Sequence, residues 1–177
     1  MLQAQPVLRN AIETDMPAIC EIYADEVLNG VSSWEEQPPG IEQMRRRRDN
    51  ILASDLPYRV AELDGRVAGY CYASSYRPRS GYRYTVENSI YIDKTMRGRG
   101  IGRLLMDDLV AICERQGYRQ MVAVIGDANN HVSIDFHVRM GFVPAGVIKS
   151  IGFKHGRWMD SVIMQRTLGQ GDQSLPD

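Results

Sequence analysis

Apolar residues recur along this chain at two spacings, and the change from one to the other divides it into strands and helices. Val7 to Ala11 reads as a short first strand. Thr14-Asp15-Met16-Pro17 then opens a helix, with a capping side chain and a proline in the first turn, where a missing N–H costs little. Ile19, Ile22, Tyr23 and Val27 continue an apolar stripe that Asn29-Gly30 ends. Val31 to Gly40 is irregular, carrying Trp34 and the breaker Pro38-Pro39-Gly40, and a second helix spans about Ile41 to Leu52. Tyr58–Leu63 and Arg66–Ser74 flank Asp64-Gly65, a strong hairpin signal. Tyr76 to Tyr84, rich in Tyr and Arg and interrupted by Pro78 and Gly81, is a loop or a bent strand. Val86 to Ile92 alternates as a strand should.

Downstream, Ile101, Leu104, Leu105, Leu109 and Ile112 form one face of a helix that stops at Gly117. Met121 to Ile125 is a continuous apolar run, as in a buried central strand. A short helix follows from Ser133 to Met140, closed by Gly141, and Phe142–Ile148 and Met159–Gln165 are the last two strands. Counting Tyr76–Tyr84 as a strand, the order is βααββββαβαββ. That order implies an α/β (α+β) fold, a mixed sheet with helices on both faces. No repeat breaks it, so residues 1–168 are expected to form one domain, with 169–177 a polar, frayed tail.

Composition narrows the class. Of 177 residues, 44% are hydrophobic and 24% charged, the balance of a globular protein. No apolar run approaches the ~20 residues of a spanning helix, and Met1 to Pro6 lacks a leader pattern. Cys20, Cys71 and Cys113 are odd in number, without a CxxC pair, and read as reduced core thiols of a cytoplasmic protein. Three scattered histidines offer no metal spacing. A net charge of −1 gives no global pull towards nucleic acid or an acidic membrane. The run Arg45-Arg46-Arg47-Arg48 lies within the second helix without interleaved aromatics, so it reads as a solvated face and not an RNA site.

The densest chemistry is Arg97-Gly98-Arg99-Gly100-Ile101-Gly102, between a strand and a helix. A helix N-terminus has unpaired N–H groups and partial positive charge, and glycines let phosphate oxygens approach the backbone. Arg97, Arg99 and Arg103 add charge-assisted donors. The glycines fall at alternate positions, which is not GxGxxG, and no Lys-Ser/Thr pair makes a Walker A loop.

At these residues the chain resembles the GNAT acetyltransferases, whose signature Gln/Arg-x-x-Gly-x-Gly/Ala stands here as Arg97-x-x-Gly100-x-Gly102. A longer similarity, from about Val7 to Leu168, is to the phosphinothricin and methionine sulfoximine N-acetyltransferase branch. It is carried by Ile19–Tyr23, Tyr76-Arg77-Pro78, Tyr82–Ser89, Ser133–His137, Met140-Gly141-Phe142 and Phe153–Asp160. The resemblance implies the acyl-CoA N-acyltransferase fold with a mostly antiparallel central sheet, and a homodimer. It also implies acetyl-CoA as co-substrate, its pyrophosphate on Arg97 to Arg103 and its pantetheine arm along Ile90, Tyr91 and Ile92. Asn129 or Asn130 is the pantetheine-binding asparagine, because the run Asp127–His131 is one residue longer than the family's usual one.

An amine must lose a proton as it attacks a thioester, so a base is expected beside it. By the resemblance Glu87 is that base, acting through water, and His137 stands where many relatives carry Tyr, either donating a proton to the thiolate or orienting the cofactor. Backbone N–H groups around a strand bulge would polarise the carbonyl. Arg77, with Pro78 and Arg79, falls on the family's substrate loop and suits a carboxylate; Arg83 is a second candidate. Glu87, Asn88 and Ser89 form the other substrate segment, with Asn88 where many relatives have His. Trp34 is either a pocket wall or a packing aromatic. The implied acceptor is the α-amine of a small amino-acid-like molecule. A peptide N-terminus is the alternative, a polyamine is disfavoured by the arginines, and a non-catalytic acetyl-CoA- or RNA-binding module is a third reading.

Overall fold

The fold comes from a computed structural model that describes residues 5–176; Met1 to Ala4, where the leader and domain expectations begin, and Asp177 lie outside the described residues. Its elements are β1 (Val7–Asn10), α1 (Met16–Asn29), α2 (Ile41–Ala53), β2 (Tyr58–Leu63), β3 (Arg66–Ser75), β4 (Thr85–Ile92), α3 (Ile101–Arg115), β5 (Gln120–Gly126), α4 (His131–Arg139), β6 (Val143–Lys154) and β7 (Arg157–Thr167). The strands form one sheet in the order β1-β2-β3-β4-β5-β7-β6. Every neighbouring pair is antiparallel except β4 and β5, which run parallel. The mixed sheet expected from the sequence is therefore present.

Period-two alternation sends each strand's side chains to two different layers. On one face, α3 lays Ile101, Leu105, Met106, Leu109, Val110 and Cys113 against Cys71, Ala73, Val86, Met121, Ala123 and Met164. On the other, α1 and α2 cover a layer of tyrosines in which Tyr70 stacks on Tyr58 and Tyr91 at centroid distances of 5.8 and 5.2 Å.

Three local expectations are corrected, and Tyr76–Tyr84 takes the loop form of its two readings. Tyr76–Tyr84 contributes no strand: Pro78 and Gly81 break the pattern, a 3-10 turn forms at Ser80–Tyr82, and Arg83 lies over the Tyr84 ring. The order is therefore βααβββαβαββ. The Asp15 carboxylate does not cap α1; it accepts from the Ile12 N–H at 2.8 Å and pairs with Arg9 at 2.7 Å. Leu104 is 38% exposed, because the buried stripe of α3 turns through Met106 and Val110 instead. The last two strands are longer than the apolar pattern suggested, and they meet at His155-Gly156, whose φ values of 51° and 72° nearly repeat the 52° and 73° of Asp64-Gly65.

The arginine run of α2 is tied into its surroundings. Arg45 pairs with Glu42, Arg47 with Glu35 at 2.6 Å, and Arg48 donates to the Ala11 carbonyl at 3.0 Å. Beyond Leu168 the chain turns back, so that Arg119 reaches Ser174 Oγ at 3.0 Å.

Candidate active site

The parallel pair β4–β5 is laddered only from Thr85↔Gln120 to Glu87↔Val122, although β4 continues to Ile92 and β5 to Gly126. Beyond Glu87 the two strands diverge and open a gap in the middle of the sheet. Tyr84 O accepts from Arg119 and Gln120, whereas Asp93 N donates to Ala68 O on β3. By alternation, the backbone groups of Ile90 and Ile92 face the gap and those of Tyr91 face β3. The Tyr91 side chain is spent in the tyrosine layer, 5.2 Å from Tyr23. Of the three expected cofactor-strand residues, Ile90 and Ile92 thus offer free backbone groups. No bulge supplies them: β3 and β4 stay in register from Ser75↔Val86 to Gly69↔Ile92, and the unpaired amides arise from the divergence of β4 and β5.

A cavity of about 280 Å³ fills this gap, lined by Glu87, Asn88, Ser89, Ile90 and Tyr91 from β4, Ala123–Ile125 from β5, Ser133 and His137 from α4, and Tyr23, Ser32–Glu35 and Tyr72. A second cavity, about 520 Å³, lies on the α1–α2 side and shares Trp34, Glu87 and Val124 with the first. Its remaining walls are Tyr76, Arg77, Ile148, Ile151, Gly152, Phe153, Ser161 and Ile163. Glu87 and Trp34 therefore stand where an inner and an outer cavity meet.

Glu87 is half-buried, and that burial pushes its carboxyl above the usual carboxylate range. His137 is buried, and desolvation pulls its pKa down, with the hydrogen bond to the Ser133 carbonyl partly opposing. Its Nδ1 lies 2.8 Å from Ser133 O, which can only accept. The ring is therefore neutral with the proton on Nδ1, and Nε2 accepts from the Asn88 amide at 3.1 Å. Both ring nitrogens are engaged within the protein. Asn88 itself is 7% exposed, and its Oδ1 has no hydrogen-bond partner among the described residues.

At the far end of β4 the chain reaches the glycine turn. Gly98 and Gly100 have φ of 77° and 79°, the left-handed region where a Cβ is strained, and a Cβ at either would meet nothing within 4 Å. The turn is open to a ligand. Arg97 is 3.5 Å from Glu26 and Arg103 3.5 Å from Asp107, both on the surface with Arg99. The first amides of α3, at Ile101, Gly102 and Arg103, point out of the helix end. Gly102 lets α3 approach Phe136 of α4, its Cβ position being 3.4 Å from that ring.

The two candidate asparagines divide. Asn130 is the N-cap of α4, its Oδ1 accepting from Ser133 N at 3.2 Å. Asn129 is exposed, and its backbone N–H goes to Asp127. Neither is among the lining residues of the two cavities. Arg77 reaches the outer cavity, but Pro78 and Arg79 are exposed and outside both.

Sequence reasoning missed most of the outer wall. Ile148 and Ser161 stand on the expected strands, and Ile151 and Phe153 on the extension of the hairpin, which the His155-Gly156 pair could have signalled. It also missed what holds Trp34. A Cβ on Gly152 would fall 2.0 Å from the indole, and one on Gly126 would fall 2.1 Å from Val31 O. Lys154, 1% exposed, donates to Ser33 O at 2.7 Å and Gly30 O at 3.2 Å, and burial lowers its pKa. The loop is thus seated on β5 and β6.

Residues 8–163 match the Acetyltransferase (GNAT) domain. The chain belongs to the GNAT acetyltransferase family. This acetyltransferase is 50% identical over 165 residues to the phosphinothricin N-acetyltransferase of Alcaligenes faecalis, covering 93% of this chain and 84% of that protein. It is 36% identical over 162 residues to the L-methionine sulfoximine/L-methionine sulfone acetyltransferase of Pseudomonas aeruginosa, covering 91% and 94% of the two chains. Among solved structures it superposes on a GNAT superfamily phosphinothricin acetyltransferase from Sinorhizobium meliloti in complex with AcCoA, with a TM-score of 0.94, 46% identity, and coverage of 97% and 93%.

Proposed function

We propose that this GNAT acetyltransferase moves an acetyl group from acetyl-CoA to the α-amine of a small amino-acid-like acceptor of the phosphinothricin, methionine sulfoximine or methionine sulfone type, by direct attack in a ternary complex. The observation that carries the reading is the meeting of two cavities at Glu87, one running through the sheet towards the glycine turn and one facing Arg77. The residues fit the co-substrate: the open turn at Gly98 to Arg103, with Arg97, suits a pyrophosphate, and the free backbone groups of Ile90 and Ile92 suit a pantetheine arm. Asn129, whose side chain does not cap α4, is the better placed of the two asparagines to reach that arm.

Acetyl-CoA supplies an activated thioester whose carbonyl carbon accepts the amine. Glu87, kept from full solvation, takes the ammonium proton directly or through one water and frees the nitrogen lone pair. As the C–N bond forms the C–S bond breaks, and CoA leaves as a thiolate that is neutralised by the second proton the attacking amine gives up. Arg77 balances the acceptor's carboxylate, and Asn88 and Ser89 border the transfer point. His137 enters as a neutral strut that fixes α4 against β4, with its Nε2 lone pair facing Asn88 and not a departing thiolate. Residues 1–168 act as one catalytic domain. A homodimer is supported by exposed apolar side chains on the β6–β7 hairpin, Val143, Val147 and Trp158 among them, and a cytoplasmic setting by the free thiols of Cys20, Cys71 and Cys113.

The test is turnover. With acetyl-CoA present, free thiol is followed while phosphinothricin, methionine sulfoximine, methionine sulfone, ordinary amino acids and a peptide are offered in turn. Thiol release with the analogues supports the reading. Release with the peptide alone moves the acceptor to a polypeptide N-terminus, and no release with any amino-acid analogue overturns the substrate class.

A further inference from the structure

Ser161 lies on β7 opposite Gly126 of β5 and Ile148 of β6. Alternation sends its neighbour Val162 into the core beneath α3, and Ser161 with Ile163 to the opposite face, where both line the outer cavity. Ser161 is 3% exposed, and its Oγ has no hydrogen-bond partner among the described residues. A buried hydroxyl without a partner is rare in folded proteins, because water is lost with nothing in exchange. Ile148 stands opposite it on β6, and Val124, Ile151, Phe153 and Ile163 add to an apolar lining of the same cavity. The outer cavity therefore has a greasy lining, one buried hydroxyl, a carboxylate at the transfer point and an arginine among its lining residues.

Resting on the acceptor class proposed above, we infer that Ser161 Oγ is the specificity-determining group that reads the far end of the acceptor's side chain, donating its hydrogen to an oxygen or nitrogen carried on phosphorus or sulfur. The apolar walls take the methylene stem, and Glu87 and Arg77 take the amino and carboxylate ends. An acceptor with a purely hydrocarbon side chain of the same length fills the stem but leaves the hydroxyl orphaned. An acceptor with a phosphinate, sulfone or sulfoximine end satisfies it. The preference is thus a difference in how one buried donor is treated, which is how a site built around a hydrogen bond rejects an analogue lacking the partner.

The ratio of kcat/KM for methionine sulfone to that for norleucine reads this directly. Parent enzyme, Ser161→Ala and Ser161→Thr are compared, with thermal unfolding of each free protein alongside. The expected result is a ratio that favours the sulfone in the parent, falls about tenfold in Ser161→Ala (one hydrogen bond) and returns in Ser161→Thr. The free Ser161→Ala protein should unfold no earlier than the parent, because no hydrogen bond is lost. An unchanged ratio in Ser161→Ala overturns the inference. So does a fall for both acceptors together with a lowered Tm, which marks a packing role. A parent that acetylates neither amino acid overturns the acceptor class itself, and that failure is recognised because it precedes any substitution.

Discussion

Asn88 and His137 meet nitrogen to nitrogen, Nδ2 to Nε2, at 3.1 Å. Such a contact is a hydrogen bond only if one nitrogen carries a lone pair. The Ser133 carbonyl fixes which one, since it requires the proton on Nδ1 at 2.8 Å. A carbonyl within α4 thereby sets the tautomer, and the Asn88 amide on β4 donates to the lone pair it leaves on Nε2 across the gap. Nitrogen-15 NMR at neutral pH should report a protonated Nδ1 and a bare Nε2 at His137. Asn88→Ala should cost about 1 kcal/mol for the lost donor. Asn88→Asp faces the lone pair with a carboxylate, so the ring should hold a proton to higher pH.

The same pair has a pH signature. Burial holds the folded-state pKa of His137 below its ordinary value. Its contribution to stability is therefore present above the ordinary histidine range, about 6.5, and is lost as pH falls through the lowered folded value. Denaturant unfolding between pH 8 and pH 5 should show a loss in the parent that shrinks in Asn88→Asp. Equal losses in both would remove His137 from the account.

Glu87 shifts the other way. Burial raises its carboxyl, so the basic form is populated only at a pH above the usual glutamate range of about 4.3. The acidic limb of kcat/KM should lie above that range and disappear in Glu87→Gln. Turnover at neutral pH should drop about 10²–10⁴-fold, the span of a positioned base. An unchanged kcat/KM in Glu87→Gln would remove its role.

Gly100 tests the other end of the site. At φ 79° an alanine is strained yet meets no neighbour, so the fold loses about 1–2 kcal/mol while the new methyl projects from the turn proposed to hold the pyrophosphate. Calorimetric titration with CoA should show affinity weakened about tenfold or more, a shift of about 1.4 kcal/mol, with KM for the acceptor little altered. Equal weakening of both would point to general loosening.

What the sequence revealed, and what it hid, follows the range of the interactions. The glycine turn that opens α3 at Arg97–Gly102 and the Asp64-Gly65 hairpin are local, dictated by residues within a few positions of one another, and the backbone takes both turns where the sequence puts them. Glu87 and His137 could be singled out as chemistry, but their place around one cavity depends on where the β4–β5 ladder stops, and no short window encodes that. Asn130, one of the two candidate asparagines, caps α4, because Ser133 three positions later supplies the N–H. The outer cavity was hidden because β6 exposes apolar side chains over most of its length, which blurs the period-two signal that marks a half-buried strand.

Trp34 and Gly152 show how far apart in sequence one packing decision can be made. The Gly152 Cβ position lies 2.0 Å from Cζ3 of the indole, so an alanine there must push Trp34 outward or bend β6. Lys154 holds the same loop from beneath through the Ser33 carbonyl, which leaves the ring little freedom to move alone. Gly152→Ala should therefore destabilise by about 1–3 kcal/mol, the range for overpacking, and raise KM for the acceptor, because Trp34 walls both cavities. Trp34→Ala removes the clash along with the wall. In that background Gly152→Ala should cost much less than it does alone, a non-additivity that a double-mutant cycle measures directly. Additive losses would mean that the glycine serves the backbone of β6 and not the seat of Trp34.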